Sequence, residues 1–217
     1  MQTAFSSAAS LLSPRGFCAS SPLYSQATIL QPLMAGKVEE LAARHEGLFP
    51  WNPRTATRRT SSGDCTEVAF APWNDWQHDP DVRQMFRRPE MKSISRALEK
   101  IERCYDQDAS LCTDICRESI SFGSLPALIA CLHDIREDPQ LRVLSVKNRM
   151  LLDEDAEGAS WGYRDVNLKL CISTPLTAEL GLNWHVCELQ LLLHDFARLK
   201  SEAGHKLYRE CRNLRSE

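Results

Sequence analysis

No stretch of this sequence approaches the ~18 consecutive apolar residues of a membrane-spanning helix, which argues against an integral membrane protein. Neither sign of charge dominates: 26 Lys and Arg stand against 29 Asp and Glu, a formal net charge of −3. That balance excludes a nucleic-acid binder driven by bulk positive charge, so no DNA partner is expected; a local basic groove for an anionic small molecule stays open. There is no internal repeat, and a chain that is 43% apolar and 25% charged is not collagen-like, a coiled-coil rod or wholly disordered. C-x-x-C pairs are missing too. The nine cysteines are scattered, Cys112 and Cys116 come closest, and His185-x-Cys187 has no second half, so no zinc site is indicated. They read as small apolar residues of a reducing compartment.

What is present is sorted unevenly along the 217 residues. The first 36 hold one Arg and no acid among many Ser and Ala, which fits an organelle transit peptide or a disordered tail, in a protein of the cytoplasm or an organelle. Residues 1–26 are read as that tail. From Ala27 to Glu46, Ile29, Leu30, Leu33, Met34, Val38, Leu41 and Ala42 recur at helical spacing until Gly47 stops the pattern, giving a helical segment over 27–49. Pro32 and Gly36 weaken its first half. Residues 50–86 are rich in Pro, Thr, Ser, Asn and Asp and read as a loop or linker, mobile over much of 50–72, with Trp73 and Trp76 pinning part of it to the body.

Residues 87–217 form the expected domain. Ser93 can cap a helix over 93–106, Gly123-Ser124 opens another over 124–137, and a last helix is expected over 194–212. Strands are expected near 115–122, 141–147, 163–173 and 184–193. The third alternates Val166, Leu168, Leu170 and Ile172 with Asp165, Asn167, Lys169 and Cys171, the period of a half-buried strand. Interleaved strands and helices make the fold class α+β (mixed α/β).

Glu188 and Gln190 share one face of an otherwise apolar strand. That face either lies in water at a sheet edge or forms a cleft in which Glu188 meets a divalent cation or a polar substrate. Asp165, Asn167 and Lys169 could line the same cleft, and Asp114 supplies a second carboxylate. Two carboxylates from separate strands suit Mg²⁺ bound to nucleotide phosphates. Cations for those phosphates are available at Arg87, Arg88, Lys92, Arg96 and Lys100; the last three follow i, i+4, i+8 spacing, which equally describes a solvated face shared with Glu99 and Glu102.

The ordered set Lys92-Ser93, Arg96, Lys100, Asp114-Ile115, Lys147, Gly162-Tyr163-Arg164-Asp165, Glu188-Leu189-Gln190 and Gly204-His205 with Tyr208 resembles the RelA/SpoT synthetase domain, over roughly 87–213. The resemblance implies a nucleotidyltransferase-like mixed sheet flanked by helices. It also implies transfer of pyrophosphate from ATP to the 3′ hydroxyl of a GDP- or GTP-like acceptor, making (p)ppGpp. On this reading Asp114 and Glu188 bind Mg²⁺, and Glu188 helps activate the acceptor hydroxyl. Tyr163 stacks on the acceptor base, Lys92, Arg96 and Lys100 lie near the ATP phosphates, Asn167 and Gln190 line the cleft, and Lys147 is a further substrate-binding residue.

Three positions and one loop depart from the family pattern. Asn167 stands where the family has histidine, Leu192 where it has a basic residue, and Ser119 where it has arginine; Arg117 is expected to face another way. The acidic loop 153–157 replaces a Pro-Lys pair, and acids are poor neighbours for phosphates. The sequence therefore leaves two functions open: a nucleotide pyrophosphokinase, or a catalytically silent or repurposed module that binds a nucleotide or a protein. A hydrolase is not indicated, since His194-Asp195 is a lone doublet at a helix start.

Overall fold

The computed structural model describes residues 21–51, 69–150 and 163–198. The expected tail over 1–20, the Arg58-to-Gly63 stretch, the acidic loop 153–157, the Gly204-to-Tyr208 motif and most of the last helix lie outside these residues.

The first helix, α1, runs from Pro22 to Arg44 and so takes in the end of the segment read as tail. Pro22 sits at its first turn, where a missing N–H has no consequence. Pro32 and Gly36 do not interrupt it, because Ala27, Leu30, Met34, Val38 and Leu41 form one wholly buried stripe whose packing outweighs local propensity.

The linker reading of 50–86 needs correction. Leu48–Trp51 (β1) pairs antiparallel with Ala69–Pro72 (β2), Phe49 opposite Ala71. Two short helices follow, Trp73–Trp76 (α2) and Pro80–Arg83 (α3). Trp73 is buried, as its pinning role requires. Each strand has only four residues and each contains a proline, so neither develops a legible period.

The remaining elements fall where the sequence expects them, within a few residues at their ends. They are α4 (Ile94–Cys104), β3 (Arg117–Phe122), α5 (Leu125–Glu137), β4 (Leu141–Asn148) and β5 (Val166–Ile172). A short helix α6 (Pro175–Glu179) then precedes β6 (Cys187–Leu193) and α7 (His194–Arg198). The sheet order is β2-β1-β3-β6-β5-β4; β3 and β6 are parallel, and the other neighbours are antiparallel. Helices α1 and α5 pack on the face that carries Ile120, Phe122, Leu168, Leu170, Leu189 and Leu191. The period of two sends Glu188, Gln190, Asn167 and Lys169 to the opposite face. This is the mixed α+β architecture expected from the sequence.

Candidate functional site

Strand register arranges the polar face in rows. One row runs Ser145, Lys169, Glu188, Arg117; the next runs Lys147, Asn167, Gln190, Ser119. Cross-strand partners on one face are close enough for their side chains to meet. Lys169 Nζ donates to Glu188 Oε2 at 2.5 Å and to the Thr113 carbonyl at 3.1 Å. Gln190 Nε2 donates to Glu188 Oε1 at 3.0 Å, and the Tyr163 hydroxyl donates to Gln190 Oε1 at 3.3 Å. Glu188 is therefore fixed from both sides.

Arg117 does not face another way. Residues two apart share a face of a strand, so Arg117 lies in the Glu188 row and Ser119 in the Gln190 row. Its guanidinium turns back toward the chain ahead of α4, donating from Nε to the Glu90 carbonyl at 2.9 Å.

Asp114 precedes β3, one residue beyond the carbonyl that Lys169 contacts. Its Oδ2 accepts from Lys92 Nζ at 2.7 Å and Lys100 Nζ at 2.8 Å, and its Oδ1 accepts from the Cys112 thiol at 3.5 Å. Burial alone would favour the neutral acid, but Lys100 and Lys92 outweigh it and hold the carboxyl far below the usual range. Burial also lowers Lys92, although Asp114 opposes the shift, and pushes the Cys112 thiol up to about 11. Lys92 is not on the helix: it lies in the extended segment ahead of α4, held by its backbone N–H to the Ile115 carbonyl at 3.1 Å and by the Tyr24 hydroxyl on its own carbonyl. Arg96 is half-buried on α4 between the two lysine positions.

Asp165 does not line a cleft. It is fully buried and ion-paired with Arg149, whose guanidinium also lies 5.8 Å from the Tyr163 ring centre. Asn167 is buried beside Gln190, and Lys147 is exposed on β4 at the sheet edge. His194 packs edge-on against Phe70, 5.0 Å between ring centres. A cavity of about 390 Å³ bordered by Glu46, Leu48, Pro72 and Gly123 contains none of the expected site residues.

Sequence reasoning missed Glu118. It is 2% exposed on the helix-covered face, accepts from Gln31 Nε2 at 3.0 Å and lies 3.3 Å from Arg88. The available signal was an acid in phase with Ile120 and Phe122. Lys169 was visible as a cleft residue, but its partner depends on register.

The oxygen donors suit magnesium in kind. Asp114, Glu188 and the Thr113 carbonyl are hard ligands, and Mg²⁺ commonly takes one or two carboxylates together with substrate phosphates. No group of three or more His, Cys, Asp or Glu able to hold a metal occurs among the described residues, so phosphates would have to complete such a shell.

No protein-family model matches the chain, and no curated protein matches it. Among solved structures, the small alarmone synthetase 1 of Bacillus subtilis bound to its product pppGpp shares 16% identity, with a TM-score of 0.45 over 58% of this chain; the chain spans 65% of that protein. A chain from the complex between the Type VI effector Tas1 and its immunity protein shares 18% identity, with a TM-score of 0.44, over 88% of this chain and 72% of that one. The small alarmone synthetase 2 of Bacillus subtilis shares 14% identity, with a TM-score of 0.50, over 86% of this chain and 78% of that one. Identity this low speaks for the fold alone, and on it the chain has the mixed-sheet fold of the small alarmone synthetases, as its resemblance to RelA/SpoT-like synthetases implies.

Proposed function

We propose that the chain is a nucleotide pyrophosphokinase that transfers the β,γ-pyrophosphoryl group of ATP to a GDP- or GTP-like acceptor. The observation that carries this reading is the gathering of Lys92, Lys100 and Lys169 around Asp114 and Glu188 at the start of the two central strands, β3 and β6, with Tyr163 bonded through Gln190. In the reaction the acceptor 3′ oxygen bonds to the β-phosphorus, the bond from that phosphorus to the α-β bridging oxygen breaks, and AMP leaves. The hydroxyl proton passes to the Glu188 carboxylate. Lys92 and Lys100 turn from Asp114 to the phosphates, where fixed cations stabilise charge on the transferring oxygens. Tyr163 stacks on the acceptor base. Asp114 and Glu188 would hold Mg²⁺ with the nucleotide, and the ion when bound neutralises phosphate charge.

One observation favours the second reading, a nucleotide- or protein-binding module without transfer. The Lys147, Asn167, Gln190, Ser119 row holds a single cation, the exposed Lys147, where the family pattern has a histidine and an arginine. The deciding experiment incubates the full chain with γ-labelled ATP, Mg²⁺ and GMP, GDP, GTP or the adenine equivalents. Label on the acceptor that disappears in Glu188→Gln supports transfer. Nucleotide binding without label transfer supports the module.

A further inference from the structure

All four oxygens of the two site carboxylates already have donors. Asp114 Oδ2 takes the Lys92 and Lys100 ammonium groups, and its Oδ1 takes the Cys112 thiol. Glu188 Oε2 takes Lys169, and its Oε1 takes the Gln190 amide. Lys169 lies between Glu188 and the Thr113 carbonyl, two hard oxygens that could otherwise serve a divalent cation. Its side chain is held there on three sides: by backbone register opposite Glu188, by the carboxylate and by the carbonyl. Three ammonium groups facing two carboxylates leave this cluster with a surplus positive charge.

We propose that Lys169 is an internal cation that closes the Asp114–Glu188 pair to bare divalent metal ions. A metal ion arriving alone would add charge to a cluster that is already positive and would have to expel an ammonium group from two oxygen partners. Polyphosphate reverses the balance: it supplies negative charge to the three lysines and carries the metal ion with it. Lys169 is thus a positioning residue that ties metal entry to nucleotide entry. The inference rests on the proposed function only in taking Asp114 and Glu188 as the metal-binding carboxylates.

The test uses Mn²⁺ as a paramagnetic probe, titrated without nucleotide into the full chain, with the free-ion resonance read at each step. The expected result is equal uptake by the wild type and Glu188→Gln. Lys169→Met should gain one site per chain, at least about tenfold tighter than any wild-type uptake. Lys169→Arg should behave as the wild type, and Lys169→Met with Glu188→Gln should lose the new site. Wild-type uptake exceeding that of Glu188→Gln would overturn the proposal, as would a Lys169→Met chain with native far-UV circular dichroism and no added site. If Lys169→Met does not fold, the wild-type and Glu188→Gln comparison decides alone. Label transfer by a wild type that also binds Mn²⁺ unaided at a site missing from Glu188→Gln would leave the pyrophosphokinase standing and remove the lysine lock.

Discussion

At the scale of single residues, the buried carboxylates among the described residues, Asp114, Glu118 and Asp165, each meet a cation, and the first two answer pH in opposite directions. Asp114 shares one oxygen between two lysines, and Lys92 is itself 8% exposed. Asp114→Asn would leave two ammonium groups facing a neutral amide, so a loss of about 3–5 kcal/mol is expected, read as a lower urea midpoint. Because its folded pKa is depressed, Asp114 contributes stability above the ordinary carboxylate range and loses it as pH falls toward the folded value. Glu118 behaves in the reverse sense. Burial, opposed by Arg88 and Gln31, raises it from 4.5 to about 7, so its stabilising contribution is complete below 4.5 and lost as pH rises through 7. Between those values stability is expected to fall by about 2–3 kcal/mol on this account. Urea melts at intervals across the window should show that slope in the wild type and a flattened one in Glu118→Gln.

At the scale of elements, the turn from α1 into β1 depends on a close approach that only glycine permits. A Cβ on Gly47 would lie 2.7 Å from the Ala42 Cα and 2.8 Å from Ile120 Cγ2, so helix, turn and central strand are all in the way. Gly47→Ala is expected to destabilise the protein by about 1–3 kcal/mol, despite the smaller chain entropy of alanine in the unfolded state. Thermal melts of the two proteins measure it. The sequence displays Gly47 as the end of a helical pattern, but the contact with Ile120 belongs to the fold. The same division holds elsewhere. Strand β5 announces itself through its alternation, and Glu188 stands out as an acid on an apolar strand. Strands β1 and β2 do not, since Phe49 and Ala71 find each other across 22 positions, with Pro50 and Pro53 between them. Arg117 and Ser119 share a face by the strand period alone, so that orientation was legible. The meeting of Lys169 with Glu188 was not, because antiparallel register between β5 and β6 is set by the whole sheet.

At the scale of the whole molecule, the question is whether the β1–β2 edge is an appendage or part of one cooperative body. Phe49 is fully buried, packs edge-on against Trp73 at 5.6 Å and Phe86 at 6.2 Å, and has the Arg88 guanidinium 4.2 Å from its ring centre. Arg88 in turn reaches Glu118 on β3, and Trp51 meets both Trp76 and Phe86. The edge is thereby tied to the central strand through rings and through charge, and its buried side chains continue into the core that contains Ile120 and Leu189. Three of the five tryptophans, Trp51, Trp73 and Trp76, stand at this edge, so fluorescence reports chiefly on it while far-UV circular dichroism reports on the sheet and helices. If the edge is integral, the two urea transitions coincide in the wild type. Phe49→Ala, which removes a buried ring, should then lower both midpoints together by an amount equivalent to about 3–5 kcal/mol, with an unchanged slope. A fluorescence midpoint that moves alone would instead mark the edge as a separately unfolding unit and leave the polar rows of β5 and β6 independent of it.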